Sequence, residues 1–305
     1  MLTNILVTGA TGFIGTNLIH RLLESNYNIS IFIHKESKIA HIKNIISKLD
    51  VHKIDLIKPD IMNEKIKKIK PDVVYHLAAY GVSHDQTRND KIINTNILGT
   101  LNLFNAILEY ADVKKIVNMG TCLEYGPKIK KIKEADENNP QSVYGFSKMA
   151  QTNISEHFYE QKKLPINTLR VFNAYGPFQN QNGLIPSIIS SALNHKKIYI
   201  NNPNDVRDFI FVKDVIEGLL RASKIKKSGE IFNIGTSKEY TVKDIVKKII
   251  KIIKYENIVF RENNTHEYGG KMVANIAKSK SVLKWKPKYT IDEGLKETFE
   301  WLKNY

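Results

Sequence analysis

Two textures alternate along the chain. Short β-branched runs, Asn4 to Thr8, Asn28 to Ile33, Val73 to Leu77, Lys115 to Met119, Ile166 to Phe172 and Glu230 to Ile234, read as strands. Between them, longer stretches carry apolar residues three and four apart, as in Thr16 to Ser25, Ile97 to Glu109 and Ser147 to Gln161, and read as helices. Parallel strands need a crossover and a helix usually supplies it, so this alternation predicts right-handed βαβ units around a parallel sheet. From Asn173 to Pro186 the texture turns to Gly, Pro, Asn and Gln, the residues of turns, and a second lobe is expected to begin there. Asp208 to Ala222 with the strand at Glu230 reads as a return to the sheet. Ile291, Leu295, Phe299 and Leu302 mark a packed C-terminal helix. The 305 residues exceed one ordinary compact domain. The expected fold is therefore α/β: a Rossmann doubly wound parallel sheet in residues 1–172, with 207–235 returning to it, and a smaller C-terminal α/β substrate-binding lobe in 173–305.

Composition narrows the class. An apolar share of 42% with 25% charged residues is that of an ordinary globular protein. The formal charge of +15 suggests nucleic acid at first sight, but only six of the 46 basic residues are Arg, and Lys is scattered among Ile and Asn. No nucleic-acid function is expected; the basic balance would help attract an anionic small molecule. A single cysteine, Cys122, excludes an internal disulfide framework and a Cys-rich metal site, and fits a reducing cytoplasm. The N-terminus enters a strand with no basic leader, so no secretory signal is expected. Apolar stretches such as Ile249 to Ile253 are interrupted by Lys, so no membrane span is expected either.

Directly after the first strand comes Gly9-Ala10-Thr11-Gly12-Phe13-Ile14-Gly15, leading into a helix. Glycines at this spacing let the backbone turn tightly against a pyrophosphate, and the helix behind offers free N–H groups and the positive end of its dipole. Between strand and helix, the motif reads as a dinucleotide site. An acidic residue at the end of the second strand would accept from ribose hydroxyls and repel a 2′-phosphate. Here that end reads Ile33-His34-Lys35, which favours NADP(H), while Glu36 leaves NAD(H) open. Asp55 and Leu56, after the third strand, are candidates to bracket the adenine.

Tyr144 and Lys148 stand four residues apart, on one face if the segment is helical. A cation beside a phenol favours phenolate, so this spacing predicts a tyrosine with a lowered pKa that serves as acid or base.

Together the glycine motif, His76-Leu77-Ala78-Ala79, Asn94 to Thr100, Gly120-Thr121, Tyr144 to Lys148, Arg170 to Pro177 and Arg207-Asp208-Phe209 resemble, in order and spacing, the extended short-chain dehydrogenase/reductase family. This family comprises nucleotide-sugar epimerases, dehydratases and ketoreductases. The resemblance implies a catalytic set of Thr121, Tyr144 and Lys148. It places Gly9, Thr11, Gly12, Phe13, Ile14, Gly15, Leu77, Ala78, Ala79, Asn96 and Phe172 at the cofactor, with Asn96 supporting the active-site helix. It places Ser83, Cys122, Asn173, Arg207 and Tyr268 at a nucleotide-diphosphate sugar, Asn173 and Arg207 at its diphosphate. It also implies a homodimer.

Related 4,6-dehydratases carry Asp-Glu directly after the catalytic Thr, and these positions hold Cys122 and Leu123. Dehydration is therefore disfavoured, since Glu124 falls one residue late, on the other side of an extended strand. The NADP-leaning strand end favours a 4-ketoreductase of a nucleotide-linked 4-keto-(6-deoxy)sugar. A 4-epimerase with retained NAD is the alternative, and a cofactor-sensing protein without catalysis is the non-enzymatic one. Cys122 is expected to be a buried structural thiol. Asn263 to Gly270, then Ala274-Asn275, departs from the family pattern and leaves base recognition open.

Overall fold

Seven of the strands line up in parallel because their apolar runs are too continuous to leave a face in water. The computed structural model describes residues 2–83, 85–255, 257–261 and 270–304. Within them the strands are β1 Thr3–Thr8, β2 Tyr27–Ile33, β3 Asp50–Lys53, β4 Val73–His76, β5 Lys115–Thr121, β6 Ile166–Val171, β7 Asn173–Tyr175, β8 Ile198–Asn201, β9 Val206–Arg207, β10 Phe209–Phe211, β11 Ile231–Ile234, β12 Tyr240–Thr241, β13 Ile258–Arg261 and β14 Lys271–Met272. The helices are α1 Phe13–Leu22, α2 Pro59–Ile69, α3 Asn89–Ile93, α4 Gly99–Tyr110, α5 Val143–Lys162, α6 Leu184–Leu193, α7 Val212–Lys224, α8 Val242–Ile253, α9 Ala277–Ser281 and α10 Ile291–Lys303.

The main sheet runs β11-β6-β5-β4-β1-β2-β3, all parallel. Interior strand β6 is buried along its whole length, as expected when helices cover both faces. Helices α1 and α7 pack on one side and α2, α4 and α5 on the other. The chain leaves β1 towards β2 and β3 and then crosses back to β4, so strand order reverses between β1 and β4. At such a switch point the loops part and leave a crevice at the carboxyl ends of the strands.

Three helices differ from the sequence reading at their starts. Helix α1 begins at Phe13, with Gly12 as its extended N-cap. Helix α5 begins at Val143 because the Ser142 hydroxyl accepts from the Gly145 N–H at 3.0 Å. Helix α4 is preceded by α3 and a single π-turn over Asn94–Leu98.

The C-terminal half builds small sheets: β7 beside β10, β8 beside β13, and β9 between β12 and β14. Its helices α6, α8 and α10 share one apolar core with α1 and α7 through Ile185, Ile189, Ile245, Val246, Leu295, Leu18 and Leu219. Asp208 organises this half. Fully buried, its carboxylate accepts from Thr236 N–H at 2.7 Å, Thr236 Oγ1 at 2.5 Å, Ser237 N–H at 2.8 Å and Ala274 N–H at 3.1 Å. Among the described residues, no helix is long and apolar enough to cross a membrane.

Burial raises the Asp208 pKa, and the hydrogen bonds around it oppose that shift. Removing the carboxylate strands several buried donors at ~1–3 kcal/mol each. Asp208→Ala is thus expected to lower the unfolding free energy by about 3 kcal/mol, read as a fall in the urea midpoint at unchanged slope.

Candidate active site

The crevice begins with the glycine turn. Gly9 has φ of +70°, and a Cβ there would come within 2.6 Å of the Ala78 nitrogen on the next strand's loop. A Cβ on Gly15 would lie 2.1 Å from the Gly9 carbonyl, so only glycine allows α1 to start this close to β1. Gly12 caps α1 without a side-chain hydrogen bond. The first N–H groups of a ten-residue helix therefore open beside a turn that has no Cβ at Gly9 or Gly12, a cradle that fits a pyrophosphate. Thr11, Phe13 and Ile14 are partly exposed around this turn, and Leu77, Ala78 and Ala79 form the opposite wall.

Behind that wall a polar chain sets the geometry. The Ala78 N–H donates to Thr8 Oγ1 at 3.2 Å, Thr8 Oγ1 lies 2.8 Å from His76 Nδ1, and His76 Nε2 lies 2.9 Å from Thr100 Oγ1. The Thr100 hydroxyl donates to the Asn96 carbonyl at 2.7 Å. Burial holds His76 neutral, with its pKa pushed down to about 3. Buried Asn96 accepts from the Tyr80 N–H at 2.8 Å and donates to the Tyr80 carbonyl and Ser147 Oγ, both at 2.9 Å. Its side chain is spent on joining the β4 loop to α5. Phe172 is buried in the main core.

At the end of β2 the fold brings Asp55 alongside His34. His34 Nε2 lies 3.7 Å from an Asp55 carboxylate oxygen, and Glu36 Oε2 lies 3.9 Å from His34 Nδ1. Two carboxylates thus flank the position where the sequence displayed two potential cations; Lys35 is exposed, and Leu56 is buried beneath.

Thr121 ends β5, and the chain then turns at once into a 3₁₀ turn over Cys122–Glu124. The segment does not stay extended, contrary to the sequence expectation, because Thr121 and Glu124 form a capping box: the carboxylate accepts from the Thr121 N–H at 2.8 Å. Its other oxygen accepts from Arg170 Nε at 2.7 Å and from Thr152 Oγ1 at 2.8 Å. Both Glu124 and Arg170 are buried, and the guanidinium lies over the Tyr125 ring at 4.3 Å. Cys122 is buried, and burial pushes its thiol up to about 12, so it stays protonated at neutral pH.

Tyr144 and Lys148 share one face near the start of α5. The expectation of an acidified phenol is reversed: burial first, then the Glu124 carboxylate and Cys122, raise the Tyr144 pKa. Lys148 feels the same interior: burial lowers its pKa to about 8 against a smaller opposing pull from Glu124. Lys148 Nζ donates to Gln151 Oε1. No described protein group bonds the Tyr144 hydroxyl.

The second lobe contributes Asn173 and Arg207, on neighbouring strands. Asn173 Nδ2 lies 3.4 Å from the Asp208 carbonyl, and Arg207 Nη2 pairs with Asp205 at 2.8 Å. Arg207 and Asp208 both act on the Cys122 thiol, which puts the lobe beside the strand end. Ser83 Oγ accepts from Asn180 Nδ2 at 3.2 Å, bridging the β4 loop to the lobe. Tyr268 lies outside the described residues. Sequence reasoning alone misses Glu124, Arg170 and Gln151 as site residues, although the Thr-x-x-Glu capping spacing at 121–124 is a local signal for the first of them.

Residues 5–235 match the profile of the NAD dependent epimerase/dehydratase family. The chain is 32% identical over 312 residues to human dTDP-D-glucose 4,6-dehydratase, covering 97% of this chain and 89% of that protein. It superposes on the Thermotoga maritima UDP-glucose 4-epimerase solved with UDP-glucose with a TM-score of 0.92 at 28% identity, over 99% of both chains. The Bacillus cereus UDP-glucuronic acid 4-epimerase, in complex with UDP-glucuronic acid and NAD, gives 0.88 at 28% identity, over 98% of this chain and 99% of that one.

Since α1 leaves no room for a Cβ, Gly15→Ala is expected to weaken dinucleotide binding at least about tenfold, by displacing the helix start from the turn. Titration calorimetry with NAD checks this, with circular dichroism confirming that the variant is folded.

Proposed function

The chain belongs to the NAD dependent epimerase/dehydratase family, and on that premise we propose that it interconverts the C4 configuration of a nucleotide-diphosphate sugar with a retained NAD. The observation that carries this reading is the set of groups at the end of β5. Among the described residues, the positions after Thr121 offer no free carboxylate, because Cys122 is a protonated thiol, residue 123 is Leu, and Glu124 is consumed by Arg170. Expelling a C6 hydroxyl needs an additional acid and base, whereas C4 epimerisation needs only one group that takes and returns a proton. Similarity to the two epimerases supports the same choice.

NAD rather than NADP follows from the carboxylates of Asp55 and Glu36 around His34, which oppose a 2′-phosphate, and from the NAD-bound relative. This replaces the NADP-driven ketoreductase expected from the β2 end alone. The N–H groups of the Gly9–Gly15 turn and α1 would hold the pyrophosphate, with Leu77 to Ala79 along the crevice wall. Bound there, a nicotinamide supplies reversible hydride exchange at the sugar carbon. Tyr144 takes the C4 hydroxyl proton and returns it to the same oxygen once the ring has turned its other face. Thr121 hydrogen-bonds that oxygen, and Lys148, when charged, steadies the phenolate. Asn173 and Arg207 hold the substrate diphosphate, Arg207 pre-set by Asp205.

In this reading residues 1–172, with 207–235, carry the dinucleotide, and the remainder of 173–305 carries the sugar nucleotide. The protein acts as a homodimer. Exposed Ile93, Leu98 and Leu108 on the α3–α4 segment and Val143 and Phe146 on α5 are the apolar surface for a second copy.

Incubated with UDP-hexoses and no added cofactor, the purified protein is expected to exchange C4 epimers, followed by proton NMR. Consumption of NADPH on a nucleotide-linked 4-keto-6-deoxyhexose, without epimerisation, would overturn this in favour of the reductase. Tyr144→Phe should cut kcat by about 10³-fold while NAD binding persists. Sedimentation equilibrium should give twice the chain mass, and Leu108→Lys should shift the protein towards monomer.

A further inference from the structure

Tyr144, Lys148 and Thr152 fall at successive four-residue steps and so form one stripe along α5. Glu124 meets this stripe at its inner end, through Thr152 Oγ1 at 2.8 Å, and meets the strand end through the Thr121 N–H at 2.8 Å. One buried carboxylate therefore touches both elements that carry the proposed catalytic set. Arg170 lies opposite Gly120 in the β5–β6 register and supplies the counter-charge, donating from Nε at 2.7 Å. Gly120 is part of the arrangement: a Cβ there would come 2.6 Å from the Glu124 carboxylate and 3.1 Å from Arg170 Cγ.

We propose that Glu124, with Arg170 as its counter-ion, is a positioning residue for the reaction, locking Thr121 to the Tyr144–Lys148–Thr152 stripe and setting the charge balance around the phenol and the ammonium. This rests on the epimerase reading for its consequence in turnover, though not for the electrostatic link itself. The ionisable groups around that stripe come from four elements. Tyr144, Lys148 and Glu156 stand on α5, Cys122, Glu124 and Tyr125 on the turn after β5, Arg170 on β6 and His76 on β4, with Arg207 and Asp208 beyond Cys122. His76 is neutral and Cys122 is protonated near pH 7, while burial raises the Glu124 carboxyl pKa and the Arg170 guanidinium, with the surrounding hydrogen bonds, opposes that shift. The Glu124 charge favours the Lys148 ammonium and disfavours the Tyr144 phenolate. It keeps proton-holding forms in place on both, so its removal acts with one sign on each: both midpoints fall.

The test is Glu124→Gln, which keeps the shape and removes the charge. Lysine Cε NMR titration, with Lys148 assigned by comparison with Lys148→Arg, should show the midpoint falling below its starting value of about 8. The expected fall is about half a pH unit. The pH–rate profile should move to lower pH on both limbs by a similar amount. Because a lone buried guanidinium can unfold the single variant, Glu124→Gln with Arg170→Gln removes both charges and should shift the same midpoints in the same direction. A folded variant, single or double, whose Lys148 midpoint and rate profile superimpose on those of the parent overturns the proposal and leaves Glu124 a structural cap. If the midpoint moves but the parent turns over no nucleotide sugar, the epimerase reading falls while the electrostatic link stands.

Discussion

At the carboxyl edge of the sheet, a carboxylate and a guanidinium are held out of water against each other, and the candidate active site is arranged around them. Burying either charge alone would cost several kcal/mol. Paired at 2.7 Å, with Thr152 and the Thr121 N–H taking up remaining acceptor capacity, Glu124 and Arg170 become a rigid joint. Strand β5, strand β6 and helix α5 all end their freedom at this joint, so the hydroxyl of Thr121 and the phenol of Tyr144 are placed by the same group. That is why a residue that touches no proposed substrate atom bears on the chemistry.

The other half of the site is made by absence of side chains. A sheet that reverses order between β1 and β4 leaves a gap where two loops part. At Gly9 and Gly15 the backbone comes so close to its neighbours that any Cβ would collide with main-chain atoms. The uncapped start of α1 then offers its N–H groups to an anion, and the chain Thr8–His76–Thr100–Asn96 stiffens the opposite wall. Neutral His76 suits that role, since a charge there would repel the Lys148 ammonium.

The smaller lobe is tied to the site by a shared core and by polar stitches. Its helices pack on α1 and α7 in one continuous apolar cluster. Asp208 gathers Thr236, Ser237 and Ala274 around itself and lies next to Arg207, while Asn180 reaches across to Ser83. The lobe's candidate substrate groups are thereby referenced to the same strand ends as Thr121.

The pattern of apolar runs, the glycine spacing and the Tyr-x-x-x-Lys step were readable in the chain because each is local: periodicity, turn chemistry and helix geometry act over a few residues. They determined the α/β class, the dinucleotide crevice and the shared face of Tyr144 and Lys148. What the linear order hid was everything set by residues far apart. Asp55 lies some twenty positions from His34, so the strand end that shows only Glu36 as a local carboxylate gains a second one in space. Glu124 appears displaced by one residue if β5 continues, yet the chain turns there and Arg170, 46 positions on, claims it. The same packing reverses the sign expected for Tyr144: spacing brings a lysine near, but burial of the phenol and the Glu124 carboxylate raise its pKa, because desolvation depends on all that surrounds a group.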